Sequence, residues 1–168
     1  MTEEEWFTSG NAPEMLSCLR LQRPDFFASQ VSQIHRFLIA CCWKHQHLIP
    51  QKGLRDGLRA AESWIAGNID YEQLNSANWY AEADAFALDY ASSPAEISEV
   101  ERLIAGIKQL RSLPFAEARK VLLDAAYFAE GTMIYPLLSG CPWSQRLFTS
   151  RFLCPVLLRK YVEPARLQ

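Results

Sequence analysis

The sequence predicts an all-α protein, a single compact bundle of about seven or eight helices that takes in residues 1–168 as one helical domain. Three observations carry that prediction. Apolar residues recur at steps of three and four through nearly every segment, the spacing that puts them on one helix face. Capping boxes, and prolines at first helical positions, stand in front of several of those segments. No run of alternating apolar and polar residues bounded by hairpin turns occurs.

The first element begins at once: "TEEE" after Met1 is a capping box, in which Thr2 accepts a backbone proton and Glu5 reaches back. Asn11 followed by Pro13 opens a second short helix, which ends before Pro24. From Phe27 the positions Val31, Ile34, Leu38 and Cys41 form a stripe that predicts one helix to about His47, stopped before Pro50. Leu54, Leu58, Ala61 and Ile65 repeat the spacing, and Gly67-Asn68 ends that helix. Asp70 in "DYEQ" and Ser93 in "SPAE" start two more, the second with Pro94 at its first position. Ile97, Val100, Ile104, Ile107 and Leu110 make a stripe that Pro114 breaks, and Phe115, Ala118, Leu122, Ala125 and Phe128 make the next before Gly131. Pro136, Gly140 and Pro142 interrupt the chain beyond Gly131. Helix resumes from about Ser144, with a break at Pro155.

Composition narrows the class. Hydrophobic residues at 49% and only seven glycines describe a globular chain with its own core, not a disordered one. The longest apolar runs fall far short of the ~20 residues of a membrane span. The acidic start "MTEEEWF" is unlike a secretory leader, which opens with positive charge. Five cysteines, two of them adjacent, argue against a paired disulfide framework and for a reducing, cytoplasmic setting.

The stretch "FLIACCWKHQHLIP" places Cys41, Cys42, His45 and His47 together and raises the question of metal or thiol chemistry. A structural zinc needs four ligands, usually as two separated pairs, and here only one cluster exists. Cys18, Cys141, Cys154 or His35 would have to complete it. Adjacent Cys41 and Cys42 also point about 100° apart around a helix. A thiol nucleophile needs a helix N-terminus or a cationic neighbour, whereas these cysteines lie toward a helix C-terminus, where the dipole disfavours a thiolate. Cys41 continues the apolar stripe, so the pair reads as core packing, with no metal and no cofactor expected. Nucleophile elbows, phosphate-binding glycine loops, zinc-protease helices and calcium loops are all missing from the sequence. An enzyme centred on Cys41, Cys42 and His45 is the alternative reading.

"MTEEEW", "MLSCLR" (Met15 to Arg20), "HRFLIACCWKHQHLI" (His35 to Ile49) and "GLRAAESWIAGNIDYEQL" (Gly57 to Leu74) together resemble a family of uncharacterised bacterial proteins, abundant in planctomycetes, that open Met-Thr-Glu-x-Glu-Trp. The resemblance covers residues 1–75 and implies an all-helical fold without a reaction to carry over.

Charge is distributed unevenly behind a net of −2. From Ala60 to Glu101 there is no Lys or Arg but nine acids; seven basic residues precede that window and ten follow it. Within it, the segment from Tyr71 to Ala91 has two apolar faces when wound as a helix. Leu74, Ala77, Ala81, Ala85 and Leu88 form one; Trp79, Ala83, Phe86 and Tyr90, with Glu82 and Asp89 beside them, form the other. A helix apolar on both sides is normally sandwiched inside a domain. The competing reading is an exposed aromatic strip rimmed by carboxylates, the make-up of a binding hot spot. On that reading Trp79, Glu82, Phe86, Asp89 and Tyr90 bind a basic protein partner, and an immunity, neutralising or adaptor protein is the concrete expectation, with self-association as a further possibility. The basic tail (Arg146, Arg151, Arg159, Lys160 and Arg166, with Trp143, Phe148, Phe152 and Tyr161) reads as an amphipathic helix with core aromatics. A pI near 5.9 opposes a nucleic-acid partner.

Overall fold

The computed structural model describes residues 1–138 and 144–162. Cys141, Trp143, Arg166 and the Gly140–Pro142 interruption lie outside the described residues. Described segments are helical or in turns, with no strand among them. Their order is α1 (Glu3–Thr8), α2 (Ala12–Gln22), α3 (Phe26–Ser29), α4 (Val31–Lys44), a 3-10 turn (Gln46–Leu48), α5 (Lys52–Ile65), α6 (Tyr71–Asp89), α7 (Pro94–Gly106), α8 (Phe115–Met133), α9 (Tyr135–Leu138), α10 (Ser144–Leu147) and α11 (Pro155–Tyr161). Three of these, α3, α9 and α10, are four-residue turns of helix; the other eight match the number the spacing predicts.

The helix starts follow the sequence signals. Thr2, Asp70 and Ser93 each accept from the backbone N–H three residues on, and Glu5, Gln73 and Glu96 reach back in reciprocal capping boxes. Asn11 caps α2 through the Glu14 N–H. α5 ends as predicted: Gly67 takes φ +74°, and the N–H groups of Gly67 and Asn68 close back on the carbonyls of Trp64 and Ser63. The tail differs from the expected helix from Ser144 with a break at Pro155: α9 runs through Pro136, α10 ends at Leu147, and Pro155 opens α11. Three boundaries before it differ as well. The helix expected from Phe27 to His47 is divided at Gln30 (φ −119°, ψ 33°), and its last turn tightens to 3-10 after His45. α7 stops at Gly106, while Ile107 and Leu110 stay buried in the following turns. α8 continues through Gly131 to Met133, because Gly131 packs under Leu147, whose Cδ2 would lie 3.0 Å from an added Cβ.

One continuous core joins these helices. α4 contributes Ile34, His35, Phe37, Leu38, Ile39, Cys41 and Cys42 to it. Each fully buried Leu, Ile or Phe contributes about 1.5–3 kcal/mol. The tail packs inward as well: Phe148, Phe152 and Leu158 are buried, Arg151 pairs with Asp124 at 2.9 Å, and Arg159 donates to the carbonyls of Trp6 and Ser9 at the end of α1. Arg159 thus clamps the fold by satisfying carbonyls that a helix end leaves open, and Arg151 clamps it through a carboxylate of α8.

The closest helix contact is α5 on α6. The two run antiparallel, with Gly53 opposite Asp84 and Gly57 opposite Ala81. A Cβ at Gly53 would sit 2.7 Å from the Tyr80 carbonyl oxygen, and one at Gly57 would run into Met133 Sδ on α8. In the space so gained, Asp84 Oδ2 accepts from the backbone N–H of Gly53 at 2.7 Å and of Leu54 at 3.3 Å. Asp84 thereby caps α5, whose own N-cap, Gln51, makes no side-chain cap bond. At the other end, the Arg119 guanidinium on α8 donates to the carbonyls of Leu88, Asp89 and Ala91, closing the C-terminus of α6.

These contacts carry a first stability prediction. In a helix Gly→Ala ordinarily gains about 1 kcal/mol. At Gly53 the clash with backbone reverses the sign, and urea unfolding of Gly53→Ala should show a loss of about 1–3 kcal/mol. Gly106→Ala, with nothing within 4 Å of the added Cβ, should show none. A second prediction concerns His35, fully buried and without a hydrogen-bond partner on either ring nitrogen among the described residues. Burial lowers its pKa from 6.5 to about 4; the backbone of Thr132 and Met133 pulls weakly the other way, without well-formed hydrogen bonds, and Arg36 adds to the lowering. Between those values the unfolded chain holds the extra proton, so His35 subtracts stability as pH falls from 6.5 toward 4, by about 3 kcal/mol in all. Relative to wild type, His35→Leu should therefore gain stability over that window, read from unfolding curves at each pH.

Candidate protein-binding face

α6 presents opposite faces to opposite surroundings. Leu74, Ala81, Ala85 and Leu88 are buried against α5 and α8. Facing away are Trp79 (69% exposed), Tyr80 (70%), Phe86 (42%) and Tyr90 (71%), with Ala83 and Ala87 between them also exposed. The sandwiched helix anticipated from the double apolar pattern is not what forms. α5 and α8 fill the small-residue side, and among the described residues these aromatics stay uncovered. The Phe86 and Tyr90 rings meet edge to face at 5.7 Å, which fixes two of the four against each other.

The carboxylates assigned to the rim sit lower than the aromatics. Asp89 is half-buried and accepts the Tyr127 hydroxyl proton at 2.5 Å, across the α6–α8 seam. Burial and that neighbouring carboxylate both raise the Tyr127 pKa, so the phenol keeps its proton and the bond persists. Glu82 is half-buried on the same seam, beside Glu130 of α8. Burial, then the Glu82 charge, push Glu130 up to about 7. Trp79, Phe86 and Tyr90 therefore share an exposed face, with Glu82 and Asp89 on its flank toward α8. Glu72 lies exposed near the start of the same helix.

Tyr80 is the residue that sequence reasoning missed. It lies about 100° around the helix from Trp79 and so falls outside the stripe drawn through positions 79, 83, 86 and 90. Its neighbours at helical spacing, Ala83, Ala87 and Asp84, carried the signal: a Tyr above two alanines widens the outer face.

Of the cysteine and histidine cluster, the two cysteines are packed into the core at the end of α4. Cys41 and Cys42 are fully buried, and burial raises both thiols, Cys41 to about 12. His45 caps the end of α4 and packs on Phe152 with ring centroids 5.4 Å apart. Burial, then the charges of His47 and Lys44, lower its pKa. Among the described residues no three His, Cys, Asp or Glu side chains are grouped to hold a metal ion. No described helix is long and apolar enough to cross a membrane. The chain matches no protein-family model, no curated protein and no solved structure.

The Glu82–Glu130 pair makes a pH prediction opposite in sign to that of His35. With its folded pKa raised from 4.5 to about 7, Glu130 holds a proton that the unfolded chain has released, so it costs stability as pH rises through that window. Glu130→Gln should match wild type near pH 4 and exceed it above pH 7 by about 1–3 kcal/mol, measured by chemical denaturation at the two pH values.

Proposed function

We propose that this chain is a non-catalytic, cytoplasmic protein-binding module that receives a basic protein partner on the outer face of α6. The observation that carries the reading is the set of large aromatics, Trp79, Tyr80, Phe86 and Tyr90, standing exposed on a helix that is tightly fixed from behind. Single exposed hydrophobics are ordinary, but several contiguous ones on a rigid element have the make-up of an interface core. Trp and Tyr there supply large contact area for little loss of side-chain freedom. The lysine- and arginine-free stretch from Ala60 to Glu101 gives the neighbourhood its sign and favours approach by a cation-rich surface. A neutralising or immunity role toward a basic protein is the concrete form of this proposal, since such a role asks for tight binding and no chemistry.

The test is affinity capture from host extract on immobilised wild type and on a Trp79→Ala/Tyr90→Ala double variant, with bound proteins identified by mass spectrometry. Expected is a basic protein, eluted by salt and lost from the variant, whose helical circular dichroism stays intact because both side chains are exposed. A partner held equally by both chains, or one indifferent to salt, contradicts the proposal. So does light scattering that finds wild type dimeric and the double variant monomeric, which assigns the face to a second copy.

A further inference from the structure

The end of α4 and the start of α11 bring together three reactive side chains that the α6 face does not use. Cys41 and Lys44 are three residues apart in α4 and share a face of it. Cys154 is the N-cap residue of α11. Lys44 Nζ lies 2.9 Å from Cys154 Sγ, a contact between residues 110 apart in sequence. The backbone N–H groups of Val156 and Leu157 lie near the same sulfur without forming cap hydrogen bonds to it, and Cys41 lies against the Cys154 backbone. Cys154 is only 5% exposed, and what stands beside it is the exposed side chain of Lys44.

Burial alone would raise the Cys154 pKa, but the Lys44 ammonium and the two N–H groups outweigh it, and the net shift is downward. The Cys154 sulfur in turn raises Lys44. Both shifts favour a thiolate–ammonium pair, the state in which sulfur reacts with peroxides. Buried Cys41, pushed up to about 12, stays a thiol.

We propose that Cys154 and Lys44 are an oxidation-responsive pair: a peroxide converts the Cys154 sulfur to a sulfenic acid, and the Lys44 amine captures it as a reducible sulfur–nitrogen bond tying α4 to α11. In the first step the thiolate attacks one peroxide oxygen and the O–O bond breaks; sulfur loses two electrons, hydrogen peroxide is reduced, and the departing hydroxide leaves as water with a proton from the Lys44 ammonium. The neutral sulfenic acid no longer holds the proton on Lys44, so the amine is freed beside the sulfur. Its lone pair forms the S–N bond, the S–O bond breaks, and a second water leaves with a proton from nitrogen. The chain ends two hydrogens lighter. One external reductant pair restores thiol and amine.

The full chain treated with hydrogen peroxide tests this by intact mass and non-reducing peptide mapping. Expected is loss of two hydrogens, with a linked peptide joining Lys44 to Cys154 that dithiothreitol releases. The link should persist in Cys41→Ala and vanish in Lys44→Met and Lys44→Arg; in Lys44→Arg, which keeps the cation beside the sulfur, dimedone should label Cys154 instead, and in Lys44→Met the labelling should be weaker. Lys44 is exposed, so neither of its substitutions threatens the fold. A Cys41–Cys154 disulfide in wild type, a link that survives Lys44→Met, or a Cys154 left reduced while Cys18 is oxidised would each overturn the proposal.

Discussion

The close approach of α5 to α6 at Gly53 and Gly57 is the constraint on which the rest of this structure depends. Gly57 sits in a helix interior, where glycine costs roughly 1 kcal/mol relative to alanine, and Gly53 stands in the first turn of α5. What the two positions permit is a contact that no side chain could share, with the Tyr80 carbonyl on one side and Ala81 and Met133 on the other. The same closeness lets Asp84 reach the N-terminus of α5 and satisfy its free N–H groups. A residue of the acidic window is thus structural. The window's charge and the helix pair's geometry are linked through one carboxylate.

Fixing α6 from behind has a consequence for its outer face. Arg119 closes its C-terminus, its own Asp70–Gln73 box closes its start, and Tyr127 holds Asp89. A helix held at both ends and along one side presents its aromatics in a set arrangement, so that a partner need not order them on binding. The seam with α8 also contains Glu130, which is stable there chiefly as a neutral acid, while the core around α4 holds His35 as a neutral base. These two groups bias stability in opposite directions across the same acidic range, and they do so from different sides of α8. Through Glu82 the charge of the acidic window reaches one of them, Glu130, while burial alone dominates at His35.

Much of this was legible in the chain. Every start marked by Thr2, Asn11, Asp70 and Ser93 is a helix start, because a cap is a local event that three or four residues decide. The Gly67 stop is equally local. Helix ends set by distant contacts were not legible: Gly131 reads as a terminator until Leu147 is seen above it, and the tight turn after Lys44 depends on packing against the tail. The two faces of α6 were legible as a pattern, but periodicity alone does not say which is covered. Small residues at 77, 81 and 85 are the physical tie-breaker, since they admit a neighbouring backbone and large aromatics do not. The Lys44–Cys154 contact left no trace in the sequence, for it joins residues that only the packing of α11 on α4 brings together.

Residue-resolved amide hydrogen exchange on the free chain measures most directly whether α6 is fixed from behind while its outer face stays bare. The account predicts that amides from Leu74 to Leu88 exchange as slowly as those of α5 and α8, near the rate of global unfolding, although half of the helix surface faces water. Exchange through α6 as fast as in the short, exposed α1, with α5 and α8 still protected, would contradict it.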